Sequence, residues 1–200
     1  KLQFVEQWGD EKKLIDYLVS KGCLNGIPGS GNFAMFLGIF FTYKYEAEGD
    51  NKYLNLMDKW FEFHNEIQNQ NDGFWGKDSL GNIYIRFQNS FHQFVIYEYW
   101  NKPLNYCNTI VDNVLNIQDS KGHFAPWPGG DGCYDYDAVY ILIKLGLERN
   151  YKANVIKSAL NKILKAQLNN QNNDGGFCKS RERPNSVFDV FNKENLSFII

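Results

Sequence analysis

The sequence has no strong excess of charge of either sign. Its 21 Lys and Arg stand against 23 Asp and Glu, a formal charge of -2. Binders of nucleic acid usually carry a basic face, so nothing here favours nucleic acid as a partner. Blocks of like charge long enough to form an interaction tail are also missing. No apolar run reaches the roughly eighteen residues of a membrane span, and the longest, around residues 33–42, falls well short. No signal peptide is visible. The four cysteines, Cys23, Cys107, Cys133 and Cys178, lie far apart and form no CxxC pair. They read as reduced thiols, not as a disulfide framework. These absences together point to a soluble, cytoplasmic chain. The chain begins at Lys1 without Met and stops at Ile200 inside an apolar stretch, so a fragment of a longer chain is expected.

What is present is aromatic. There are 16 Phe, 12 Tyr and 5 Trp in 200 residues, more than a modest helical core needs. That length suits one domain with a packed core.

A short pattern recurs. It reads Gln70-Asn-Asp-Gly73-Phe-Trp75, then Gln118-Asp-Ser-Lys-Gly122-His123-Phe124, then Gln171-Asn-Asn-Asp-Gly175-Gly-Phe177. The glycines are 49 and 53 residues apart. A degenerate copy lies one period earlier at Gly22, without the aromatic. Each full pattern follows an amphipathic stretch, at 51–68, 104–118 and 151–167, with apolar residues at i, i+3, i+4 and i+7. That spacing predicts helix. The Gly supplies the left-handed turn that ends it. A more apolar stretch follows each turn, at 32–46, about 83–100 and 135–148, and 186–200 reads as the start of another. Helices apolar all round are expected to be buried all round. The chain should therefore alternate outer, half-buried helices with inner, fully buried ones. Pro103 is expected at the start of an outer helix.

The Gln-x(2–3)-Gly-x-Trp/Phe pattern over roughly residues 20–180 resembles the QW repeat of the terpenoid cyclase and protein prenyltransferase superfamily. The resemblance implies an all-α fold, an α/α toroid of helical hairpins. About four hairpins are visible, so the toroid is expected to be incomplete or open, within one domain spanning 1–200.

The most chemically loaded stretch is Gly129-Gly130-Asp131-Gly132-Cys133-Tyr134-Asp135-Tyr136-Asp137-Ala138. Three readings compete. Asp131-Gly-Cys133-Tyr134 resembles the Asp-x-Cys-Tyr motif of prenyltransferase β subunits, which implies zinc on Asp131 and Cys133. The family's His ligand is absent after residue 178, and His123 is the nearest substitute. Asp135-Tyr-Asp137 resembles the Asp-x-Asp-Asp motif of class II terpene cyclases, which implies a protonated carboxyl as acid catalyst. Ala138 stands where the last Asp of that motif would be. Paired carboxylates push one pKa up. The plainer alternative is that Asp135 caps the helix and Asp137 sits in its first turn.

The third reading is carbohydrate. Polysaccharide lyases and glycosidases built as α/α toroids resemble this chain in architecture. The stretch 83–100 offers Tyr84, Arg86, Asn89 and His92, with the last three at i, i+3 and i+6. His92 is the candidate base, because an unperturbed imidazole titrates near neutrality. Arg86 needs a buried anionic partner, and Asp135 or Asp137 is the expected one. Trp75 and Trp127 are expected at the rim of such a cleft, with Tyr134 among the ligand-binding groups. Trp127 could equally staple its own loop. His64 reads as solvated on an outer helix.

Three functions follow. The first is a prenyltransferase- or cyclase-like enzyme with its site near Asp135 and Asp137. The second is a carbohydrate-active enzyme or sugar binder, taking a small-molecule or oligosaccharide ligand. The third is a toroid without catalysis that binds a partner. None but the metal reading calls for a cofactor.

Overall fold

A computed structural model describes residues 1–77, 82–178 and 180. Every regular element among them is helical, apart from two isolated bridges, so the all-α class holds. The chain divides into two compact units, one within residues 1–80 and 85–105, the other within 81–84 and 106–200.

In the first unit a 3-10 turn, Gln3–Trp8, precedes α1 (Glu11–Ser20), α2 (Ser30–Glu46), α3 (Lys52–Ile67) and α4 (Ile83–Tyr99, all but its first two residues). Asp10 caps α1 by accepting from the Lys13 N–H at 2.9 Å. The Trp60 indole of α3 donates to the Ala34 carbonyl of α2 at 3.0 Å and fixes the two helices in register. Lys44, 5 % exposed, pairs with Glu6 and Glu48 and ties the N-terminal turn to α2.

Two expectations fail in this unit. His64 is fully buried, not solvated. It stacks on Trp60 with ring centroids 3.7 Å apart, and its Nδ1 meets the Trp60 carbonyl at 2.7 Å. Burial pushes its imidazole down to about 3, so it is neutral. Nor is α2 buried on all sides. It covers Ala34, Leu37, Gly38 and Phe41 but leaves Phe33, Phe36, Ile39 and Tyr43 exposed.

The second unit holds α5 (Cys107–Asn116), α6 (Gly132–Ile141) with a π-helical continuation Leu142–Leu147, and α7 (Ala153–Asn169). Helix α5 starts later than expected, because Tyr106 before it sits at φ +57°. Pro103 therefore lies in the connector, not in the first turn. Helix α6 starts earlier than expected, at Gly132, because Asp131 caps it through the Cys133 N–H at 3.1 Å. The expected helix at 186–200 lies outside the described residues.

The repeated turns share one hydrogen-bond plan. A Gln amide donates to the carbonyl of the turn glycine: Gln68 to Gly73 at 2.8 Å, Gln118 to Gly122 at 2.9 Å, Gln171 to Gly175 at 3.1 Å. The next residue's N–H then closes onto the carbonyl just past the glycine, as Asn69 to Phe74, Asp119 to His123 and Asn172 to Gly176. The glutamine of the first turn is thus Gln68, and exposed Gln70 is not its equivalent. Two of these amides reach on to the following segment, Gln68 to the Asn105 carbonyl and Gln118 to that of Ala159. Gly122 sits at φ +108°, and a Cβ there would come within 2.8 Å of the Lys162 backbone. The repeat is therefore a device for stapling one hairpin to the next.

Candidate functional site

The residues singled out on α4 and beside it serve the first unit's own packing. Arg86 pairs with Asp72, Nη1 to Oδ2 at 2.6 Å and Nη2 to Oδ1 at 3.0 Å. Its partner is therefore Asp72, three residues before the repeat's Trp75, and not Asp135 or Asp137. Asn89 is saturated: its amide donates to the Gly26 and Ile27 carbonyls at 3.0 and 2.8 Å and accepts from the Gly29 N–H at 3.0 Å. Trp75 is 2 % exposed and packs on Tyr97, so it forms no rim. His92 is half-buried, with Nδ1 on the Gln88 carbonyl at 2.9 Å. Burial lowers its pKa, which leaves a neutral ring.

The N-terminal end of α6 is different. Here the loop from residue 119 folds back onto the helix, and one carboxylate holds it there. Asp135 Oδ1 accepts from the Phe124 N–H at 2.7 Å. Its Oδ2 meets His123 Nδ1 at 2.9 Å and accepts from the Gln167 amide of α7 at 2.6 Å. Asp135 is 2 % exposed and His123 4 %. Burial raises the Asp135 carboxyl above the usual range, and the Phe124 N–H and His123 oppose that. Gly130 permits the approach. It sits at φ +78°, and a Cβ there would lie 2.1 Å from His123 Nδ1. Trp127 closes the loop from the other end, donating to the Gly130 carbonyl at 3.0 Å and packing edge-on against Tyr134 at 5.5 Å. Trp127 thus staples its loop, and it also lines an open cleft with Tyr84, Asp119 and Lys121.

Asp137 lies apart from this network. Successive helical residues turn by roughly 100°, so Asp135 and Asp137 point to different sides of α6. They do not form one acid pair. The charged neighbour of Asp137 is Asp131, itself 2 % exposed. Asp137 is 6 % exposed and has no hydrogen-bond partner among the described residues. Burial, with the Asp131 carboxylate second, pushes its carboxyl up to about 8. The helix cap expected of Asp135 belongs to Asp131 instead.

The oriented imidazole of His123 escaped the sequence reading, which weighed His123 only as a metal ligand. A signal existed, since His123 directly follows the turn glycine and shares the loop with Gly129-Gly130. The expected zinc ligands, Asp131, Cys133 and His123, each have a distinct setting. Asp131 caps α6, His123 Nδ1 is taken by Asp135, and Cys133 is exposed. Among the described residues no group of three or more His, Cys, Asp or Glu could hold a metal ion. All four cysteines are free thiols, and no helix among the described residues is long and apolar enough to cross a membrane.

Compared with family models, with curated proteins and with solved structures, the chain matches none of them.

Proposed function

We propose that the chain is a divergent helical-hairpin protein of the cyclase and prenyltransferase type, acting as a proton-donating enzyme at the N-terminal end of α6. The observation that carries this reading is Asp137, a buried carboxyl without a hydrogen-bond partner among the described residues, beside a second buried carboxyl, Asp131. A carboxyl so placed keeps its proton near neutral pH and can give it to a weakly basic substrate atom. His123, oriented by Asp135, offers a proton acceptor in the same unit. Asp135 itself is engaged in three hydrogen bonds and acts as a positioning residue. Such an acid suits protonation of an alkene or epoxide, and equally of a glycosidic oxygen.

The test is conversion. The protein is incubated with an epoxidised isoprenoid, an isoprenoid diphosphate and a set of oligosaccharides, and products are read by mass spectrometry. Conversion of one class is expected. It should vanish in Asp137→Asn while the melting temperature near pH 6 does not fall. Undiminished conversion by Asp137→Asn would remove Asp137 as the acid, and no conversion of any class would remove the enzyme reading.

A further inference from the structure

Helix α2 carries an apolar face that the first unit leaves uncovered. Phe33, Phe36, Ile39 and Tyr43 are each at least 40 % exposed. Spaced by three, three and four residues, they share one side of the helix. Single exposed apolar residues are ordinary, but a contiguous stripe of them marks an interaction surface. The other side of α2 is committed to the core through Ala34, Leu37 and Phe41.

The stripe has two unlike halves. Its C-terminal half borders a groove of about 420 Å³ between α2 and α4, walled by Ile39, Tyr43, Val95, Ile96 and Tyr99. Both helix segments belong to the first unit. Glu46 is the one charged side chain lining the groove. It accepts from the Tyr99 hydroxyl at 2.6 Å and has no cationic partner among the described residues. The N-terminal half projects two rings, Phe33 and Phe36, with Phe36 stacked on Phe40 at 6.5 Å. Here the charge is positive. Lys21, just past α1, sets its ammonium 5.0 Å from the centre of the Phe33 ring and makes no ion pair among the described residues.

Rings and a cation at one end, a groove and an anion at the other, make a surface that complements itself about a two-fold axis. With the axis beside Ile39, α2 lies antiparallel on its copy. Phe36 then faces the partner's Tyr43, and Phe33 faces the partner's Glu46. Both rings enter the partner's groove. A cavity of roughly 150 Å³ holds one benzene-sized ring, so this groove has room for two. Lys21, riding on Phe33, arrives at the partner's Glu46, and symmetry makes the same exchange twice. A small apolar ligand would fill the groove and still leave Phe33 and Phe36 in water. We infer that the occupant is a second copy of this chain, and that the protein pairs through α2 as an isologous dimer. The inference does not depend on the enzyme reading above.

Sedimentation velocity of the whole protein, from micromolar to submillimolar concentration, tests it. A reversible monomer–dimer equilibrium is expected. Phe36→Ser and Ile39→Ser should each weaken the dimer about tenfold, as for a buried interface anchor. Both sites are exposed in the single chain, so melting of the dilute protein should not change; if one variant unfolds, the other carries the arm. Charge reversal gives an independent arm. Lys21→Glu and Glu46→Lys should each weaken the dimer severalfold, and the double variant should restore it, because only the paired geometry exchanges these two charges. A monomer at every concentration, a dimer indifferent to the stripe substitutions, a double reversal as weak as the single ones, or assembly beyond two chains would each overturn the inference.

Discussion

Asp137 and Gly130 are the single positions on which the site depends. Gly130→Ala puts a Cβ 2.1 Å from His123 Nδ1, at a backbone φ of +78° that L side chains rarely adopt. The loop must shift, and Asp135 loses its fit to His123. A loss of about 3 kcal/mol is expected, within the range of changes that break a buried network. Chemical denaturation of the variant measures it, and a loss below about 0.5 kcal/mol would mean that the loop holds His123 by other means. Much of the residue scale was readable beforehand. The stretch 129–138 stood out by composition, and the proposed acid, Asp137, lies in it. Its internal pairing was missed because Asp135 and Asp137 are neighbours in sequence, whereas a helix turns them apart. His64 was misjudged for a related reason. It lies four residues after Trp60 and three after Phe61, on the stripe that α3 buries.

Among the elements, the repeated turn states its own energetics. Gln118 donates to two carbonyls, one of them on α7. Gln118→Ala should therefore cost about 2 kcal/mol. Gln68→Ala should resemble Gln118→Ala, and Gln70→Ala should cost nothing measurable. Equal losses at Gln68 and Gln70 would refute the shared hydrogen-bond plan. Lys44 gives a second element-scale case. It is a buried cation between Glu6 and Glu48, and in Lys44→Ala Glu6 keeps Lys52 while Glu48 keeps the Leu2 N–H. A lower melting temperature is expected, because the ammonium that ties the N-terminal turn to α2 is lost. Element type and order were legible from the period of apolar residues. Helix ends were not, because the Asp131 side-chain cap and the positive φ of Tyr106 decide them. The exposed side of α2 was not legible either, since a uniformly apolar helix carries no sign of which face stays uncovered.

For the whole molecule, the buried titratable groups shape stability against pH. His64 and His92 are lowered in the folded state, so the unfolded chain binds more protons than the folded one at acid pH. Their contribution rises with pH and is complete above roughly 6.5, the unperturbed imidazole value. Asp137 works in the opposite direction. Its folded value of about 8 exceeds that of an unfolded carboxyl, so its proton is held by the folded chain alone between roughly pH 4 and 8. Stability from Asp137 is full below that window and is lost as pH rises through it. Between pH 6.5 and 8 only the Asp137 effect remains of these three. Stability should fall there by about 2 kcal/mol, and Asp137→Asn should be flat. Thermal melts at several pH values check both arms, and a wild-type profile parallel to that of Asp137→Asn would contradict the buried acid.

The most direct measurement is the titration of Asp137 itself. The protein is labelled with ¹³C at aspartate carboxyls, and the resonance missing from Asp137→Asn is followed with pH by NMR. A midpoint near 8 is expected, with the carboxyl protonated at pH 7. A midpoint near 4, like that of an exposed aspartate, would contradict the acid on which the proposed function stands.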